Sequence, residues 1–297
     1  MKNRERDSEY RKRRAGRDPG RNGKSGRAGK NAAGSAQRRN AGSRSTGDKQ
    51  PELPENLLIG RNPVIEALKN GRGIDKIMIA RGAEGSAVKI AAMASDAGIQ
   101  VQYVQRAAVD RVAMGLPHQG VAAFVSDYKY SSVEEILSYA AEKNEDPFIV
   151  ILDGIEDPHN LGAIIRTADA SGVHGVIIQK RRAVSITPVV EKAAAGAAEY
   201  VNVARVANIS QTIDQLKKDG VWVYAVDMDG MNFWDSDLSG PAAVVVGSEG
   251  RGISRLVREK CDAVISMPMS GSVNSLNASN AAALAMYEVV RQRRLKH

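Results

Sequence analysis

From residue 148 onward the chain alternates short, continuous runs of Val, Ile, Leu and Ala with helical patterns, and this alternation is the strongest constraint on its fold. F-I-V-I-L at 148–152, G-V-I-I-Q at 175–179, V-N-V-A-R-V at 201–206, V-W-V-Y-A-V at 221–226, A-A-V-V-V-G at 242–247 and D-A-V-I-S-M at 262–267 read as strands. Between them, 161–172, 188–200, 210–220 and 255–261 carry apolar residues at helical spacing, and a last helix follows the Ser/Asn-rich loop ending at 280. Strands that are apolar on every residue are buried on both faces, which is what a parallel sheet covered by helices demands. The expectation is an α/β domain with a mostly parallel sheet over 147–297.

A smaller α/β unit precedes it. L-L-I-G-R-N-P-V-I-E-A-L at 57–68, I-D-K-I-M-I-A at 74–80, a helical pattern at 87–98, I-Q-V-Q-Y-V at 99–104 and H-Q-G-V-A-A-F-V at 118–125 predict a domain over 55–128. A polar helical connection over 129–146 is expected as a linker. Residues 1–54 form a third region of different character. Residues 1–50 hold 16 Lys/Arg against 5 Asp/Glu, whereas the rest of the chain holds 26 against 29. With almost no large apolar residues, this basic tail cannot bury enough surface to fold alone and is expected to be disordered. Its R-K-R-R at 11–14 is either a solvated run or an arm that neutralises nucleic-acid phosphates. G-R-N-G-K-S at 20–25 imitates a phosphate-binding loop, but Asp18 stands where that loop needs Gly and no strand precedes it.

The single Cys261 excludes an internal disulfide, and His118, His159, His174 and His297 lack ligand spacing, so no metal site is expected. With no stretch approaching a membrane span and a charged N-terminus, the expected setting is the cytoplasm.

In open α/β sheets ligands bind beyond the carboxyl ends of strands. Three loops there are rich in Gly, Ser and Asn: D-G-I-E-D-P-H-N-L-G-A-I-I-R-T-A from 153, G-S-E-G-R-G-I-S from 247, and P-M-S-G-S-V-N-S-L-N-A-S-N from 268. The glycines of the middle loop, Gly247, Gly250 and Gly252, do not follow the dinucleotide-binding order. In the last loop, Ser and Asn can cap the following helix, cradle a ligand, or do both through different atoms.

In order and spacing, N-x-G-A-I-x-R, G-x-E-G-x-G and P-M-x-G-x-V-x-S-L-N-x-S, the three loops resemble the motifs of the SpoU, or TrmH-like, branch of the SPOUT RNA methyltransferases. The resemblance extends from about residue 57 and is greatest to the 23S rRNA guanosine-2′-O-methyltransferases. It implies an RNA-binding domain over 55–128 and a C-terminal methyltransferase domain with a deep trefoil knot. It also implies a homodimer and methyl transfer from S-adenosyl-L-methionine to a ribose 2′-hydroxyl. A tRNA 2′-O-methyltransferase of the same branch, or a non-catalytic rRNA-binding protein, are the alternatives.

By the same resemblance Gly247, Met267 and Leu276 bind the donor, and Asn160, Arg166, Glu249, Ser275 and Asn277 serve the reaction. Arg166 lies six residues after Asn160, so the two flank the first turns of one helix and can face one site. A guanidinium stays protonated, which favours binding the adjoining phosphate and stabilising a developing alkoxide over acting as a base. A surface ion pair of Arg166 with Asp169 or Glu156 is the alternative. Glu249 can orient Arg166 or Asn160, or accept a hydrogen bond from the ribose. His159 is expected as a loop residue only.

Overall fold

The computed structural model describes residues 53–296, so nearly all of the basic tail expected over 1–54 lies outside the described residues. The smaller domain comprises β1 (Leu57–Ile59), α1 (Arg61–Lys69), β2 (Ile74–Ala80), α2 (Ser86–Asp96), β3 (Gln100–Val104), α3 (Arg106–Ala113) and β4 (Val121–Val125). Its sheet has the order β1-β4-β2-β3, with β4 antiparallel to β1 and β2 and only β2–β3 parallel. H-Q-G stands outside β4 as a turn. Buried His118 accepts the Gly120 N–H on Nδ1 (3.0 Å), which leaves its Nε2–H to donate to Asp110, 2.7 Å away.

The connection expected as a linker is instead part of the larger domain. It carries α4 (Val133–Glu142), closed at its start by a reciprocal Ser132–Glu135 capping box. Ile136 of this helix packs so tightly on β6 that a Cβ added to Gly175 would come 2.3 Å from Ile136 Cδ1.

The larger domain follows with β5 (Phe148–Asp153), α5 (Pro158–Ser171), β6 (Gly175–Gln179), α6 (Pro188–Ala194), β7 (Asn202–Val206), α7 (Ile209–Lys218), β8 (Trp222–Asn232), β9 (Ala242–Gly247), α8 (Arg255–Lys260), β10 (Ala263–Ser266) and α9 (Ala278–Lys296). The strand order is β10-β8-β9-β5-β6-β7, and every pairing is parallel. Alternate residues of the central strands feed two cores. Val150, Leu152, Val244 and Val246 face α5, α6 and α9, while Ile149, Ile151, Ala243 and Val245 face α4, α7 and α8. Full burial of each Val, Leu or Ile side chain stabilises the fold by about 1.5–3 kcal/mol, which accounts for the unbroken apolar runs. Strand order reverses between β5 and β9, and that reversal opens a crevice at their carboxyl ends.

The helix expected over 188–200 breaks early. Ala195 adopts φ +55°, Gly196 adopts φ +101°, and a short 3-10 turn, Ala197–Glu199, takes over. A Cβ on Gly196 would lie 2.6 Å from Glu66 of α1, so the break admits the smaller domain. At this seam the Arg72 guanidinium meets Glu191 at 2.6 Å and Glu199 at 2.8 Å, all three largely buried. Tyr128 donates to the Ala198 carbonyl (3.2 Å), and Asn70 to that of Glu199 (2.9 Å).

Burial pushes the Glu191 carboxyl up to about 7, against the pull of Arg72, and its Oε2 has no hydrogen-bond partner among the described residues. The folded protein therefore holds this proton more tightly than the unfolded chain between the ordinary value of 4.5 and about 7. Stability from this group is present at low pH and is lost as pH rises through 7. Melting temperature is expected to fall between pH 5 and pH 8 by several degrees more in the native protein than in Glu191→Gln, as scanning calorimetry of the two would show; parallel curves would refute the assignment.

Candidate active site

Asp153 ends β5 inside the crevice and is buried. Its Oδ1 accepts from Gln179 Nε2 (3.2 Å) at the end of β6, and its Oδ2 from the Ser254 N–H (2.7 Å) beyond the glycine loop. One carboxylate thus ties together three loops at the carboxyl edge of the sheet. Asp157 caps α5 by accepting the His159 N–H (2.9 Å), with Pro158 in the first turn. The helix therefore starts three residues before the apolar pattern at 161, and the exposed His159 belongs to its first turn rather than to a loop.

This start places Asn160 inward, buried against two other chain segments. Its Nδ2 donates to Glu249 Oε1 (2.9 Å), and its Oδ1 accepts from Asn277 Nδ2 (3.0 Å). Asn277 Nδ2 also donates to Glu249 Oε1, closing a three-residue ring across the three loops. The other end of the Asn277 amide caps α9, its Oδ1 accepting the Ser279 N–H (2.9 Å). Capping and site-building are thus divided between the two ends of one side chain.

The loop after β9 is a tight reversal. Gly252 N–H donates to the Ser248 carbonyl (2.8 Å), Ser248 N–H returns to Gly252 (3.2 Å), and Gly250 and Gly252 adopt φ +79° and +65°. Backbone passes so near Gly247 that an added Cβ would lie 2.1 Å from the Gly252 carbonyl carbon. Arg251 pairs with Glu156 at 2.7 Å, a further tie between the first and second loops.

A cavity of about 920 Å³ opens beside this ring, near the upper end of the usual range for small-molecule sites. Gly247, Met267 and Leu276 line it, as do Glu249, Ser275 and Asn277. Asn160 stands behind, joined to it through Glu249 and Asn277. Arg166 is not among the lining residues. Six residues of helix separate it from Asn160 by about 120° around the axis, and the structure leaves Arg166 exposed while Asn160 is buried. Glu156 is taken by Arg251, and Arg166 forms no ion pair with Asp169 or any other carboxylate among the described residues.

The middle of β8 also reaches the cavity, through Val226, Asp227 and Met228. The sequence pattern V-W-V-Y-A-V predicts a strand that ends at 226. The strand continues to Asn232 since Gly230 lets β10 approach: a Cβ there would meet the Ile265 backbone at 2.6 Å. Asp153 was missed for a different reason, since a lone Asp after a strand carries no signal of the two loops it joins. Among the described residues no cluster of metal-ligating side chains occurs and no helix is long and apolar enough to cross a membrane.

Residues 57–131 match the RNA 2′-O ribose methyltransferase substrate binding family, and residues 147–287 match the SpoU rRNA Methylase family. YacO of Bacillus subtilis (strain 168), whose name places it with the TrmH family tRNA/rRNA methyltransferases, is 49% identical over 238 residues, covering 80% of this chain and 95% of its own. The chain belongs to the SpoU/TrmH family of RNA methyltransferases. A similarly named SpoU/TrmH protein of Staphylococcus haemolyticus (strain JCSC1435) is 47% identical over 239 residues, covering 80% of this chain and 96% of its own. The SpoU methyltransferase AviRb from Streptomyces viridochromogenes, solved in complex with the cofactor AdoMet, is similar in structure with a TM-score of 0.68 at 27% identity, covering 81% of this chain and 91% of its own. The two SpoU/TrmH matches meet the two sheets of the fold, the first on the smaller domain and the second on the parallel one.

Proposed function

We propose that this SpoU/TrmH methyltransferase transfers a methyl group from S-adenosylmethionine to a ribose 2′-hydroxyl, that of a guanosine in 23S rRNA. The observation that carries this reading is the ring of Asn160, Glu249 and Asn277 at the wall of a cavity large enough for the donor. A protein that only bound RNA would have no use for a buried amide, a carboxylate and a cap amide converging from three loops. When bound, S-adenosylmethionine supplies a sulfonium methyl, so that a C–S bond breaks as a C–O bond forms and the hydroxyl proton is released.

Gly247 gives its side-chain space to the Gly252–Ile253 backbone and so shapes the loop against which the donor lies, and Met267 and Leu276 offer apolar surface to the donor's adenine and methionine parts. Glu249, with one oxygen engaged by Asn160 and Asn277, has its other free to accept a hydrogen bond from the ribose. Ser275 hydrogen-bonds the substrate. Arg166, exposed and without a carboxylate partner among the described residues, binds the adjoining phosphate and stabilises the developing alkoxide. Holding the two reactants in line can supply roughly 7–11 kcal/mol of such a displacement.

The reading includes a homodimer and the knot. Leu284 and Tyr287 are about half exposed on α9, an apolar face suited to a second copy. Ribose methylation mapped across total RNA from cells with and without the protein tests the function: one guanosine of 23S rRNA should lose its mark, and loss in tRNA instead would reassign the substrate. Calorimetry showing no S-adenosylmethionine binding would end the enzyme reading.

A further inference from the structure

The described part of the chain carries a slight excess of acid, and two cations at the domain seam are matched: Arg72 takes Glu191 and Glu199, and Lys69 takes Glu66. Two are not. Lys192, on α6 of the larger domain, and Arg61, at the start of α1 in the smaller one, are both half-buried, and neither pairs with a carboxylate among the described residues.

They meet at Gly60. A Cβ placed on that glycine would stand 3.9 Å from Lys192 Nζ, so the ammonium lies over the turn that leads into Arg61. Arg61 is fixed by donating from Nε to the Gln119 carbonyl (3.0 Å) and from Nη1 to Ser86 Oγ (3.3 Å), neutral acceptors that hold the guanidinium without cancelling its charge. Glu66 does not serve Lys192, being bonded to Tyr200 and Lys69, and Glu191 faces Arg72. Burial, with no carboxylate opposing it, lowers the Lys192 pKa. An ammonium in that position gains from an anion that arrives from outside.

The seam is also close to the chemistry. Ala193, next to Lys192, abuts α5 so tightly that a Cβ on Gly162 would come 2.4 Å from its own Cβ, and Gly162 stands one turn before Arg166. We infer that Lys192 and Arg61, one from each domain, form a site for a backbone phosphate of the substrate RNA at Gly60, so that the bound strand bridges the substrate-binding domain and α5. The inference rests on the RNA-methyltransferase reading and adds to it a site that both domains must complete.

Affinity for a 23S rRNA transcript, with a mixed tRNA pool in parallel, is measured against salt for the full chain and for Lys192→Gln, Lys192→Arg, Arg61→Gln and the double Gln variant. Each Gln variant should bind about 5–10-fold more weakly at low salt, with the slope of log K against log salt reduced by about one. Lys192→Arg should restore both. The double variant should lose less than the product of the single losses, because the two cations share one phosphate. S-adenosylmethionine binding by calorimetry should stay unchanged, which separates a lost charge from a lost fold. Gln variants with the native affinity and slope, or a Lys192→Arg variant as weak as Lys192→Gln, overturn the site. A native protein that binds neither RNA sinks the functional reading itself, and this site with it.

Discussion

Gly247→Ala is expected to abolish S-adenosylmethionine binding, raising Kd at least ~100-fold by calorimetry, while the protein stays folded. The added methyl would lie 2.1 Å from the Gly252 carbonyl carbon and 2.3 Å from the Ile253 amide nitrogen, both backbone atoms of the same reversal. Neither can swing aside as a side-chain tip would. The loop must lift away from β9, and Glu249, Asn160 and Asn277 lose their register. Overpacking of this kind costs about 1–3 kcal/mol of stability, which a sheet of this size tolerates, so melting should shift by only a few degrees. Gly250→Ala is the control. It carries φ +79° but nothing lies within 4 Å of its Cβ position, so the cost is backbone strain alone, about 1 kcal/mol, with donor binding retained. Equal loss in both variants would show that loop strain, rather than the close approach at Gly247, is what matters.

Arg166→Ala should reduce methyl transfer at least ~1,000-fold while leaving S-adenosylmethionine affinity within about twofold and melting unchanged, on the scale of lost transition-state donors. Its exposure and its lack of a carboxylate partner among the described residues mean that folding of the described domains does not depend on it. Arg166→Lys retains a charge but not the planar fork, and should recover only part of the rate. A tritium-transfer assay at saturating donor and RNA reads both. Native turnover in the Ala variant would remove Arg166 from the reaction.

The parallel sheet was legible because β-strands buried on both faces leave an unmistakable record: every residue of F-I-V-I-L and A-V-V-V must be apolar, whichever way it points. The three loops were legible because they alone pack Gly, Ser and Asn at strand ends. Hidden were features that depend on partners distant in the chain. Nothing about Gly230 shows that β10 crosses there, nothing about Ala195 shows that a second domain needs α6 to stop, and nothing in S-S-V-E-E-I-L shows that its helix covers β6 rather than spanning a gap. The pairing of Asn160 with both Glu249 and Asn277 was equally hidden, since the resemblance named the three residues but not the bonds among them.

The double use of Asn277 has a consequence for the order of biosynthesis. Its carbonyl starts the last helix, and its amide completes a ring whose other members were made 28 and 117 residues earlier. A nascent chain can fold its smaller domain and most of its large sheet while the final helix is still inside the ribosome, yet the ring stays open until that helix emerges and docks. A chain that stops before Asn277 can therefore leave translation folded in most of its mass, with Asn160 and Glu249 in place but the ring unclosed.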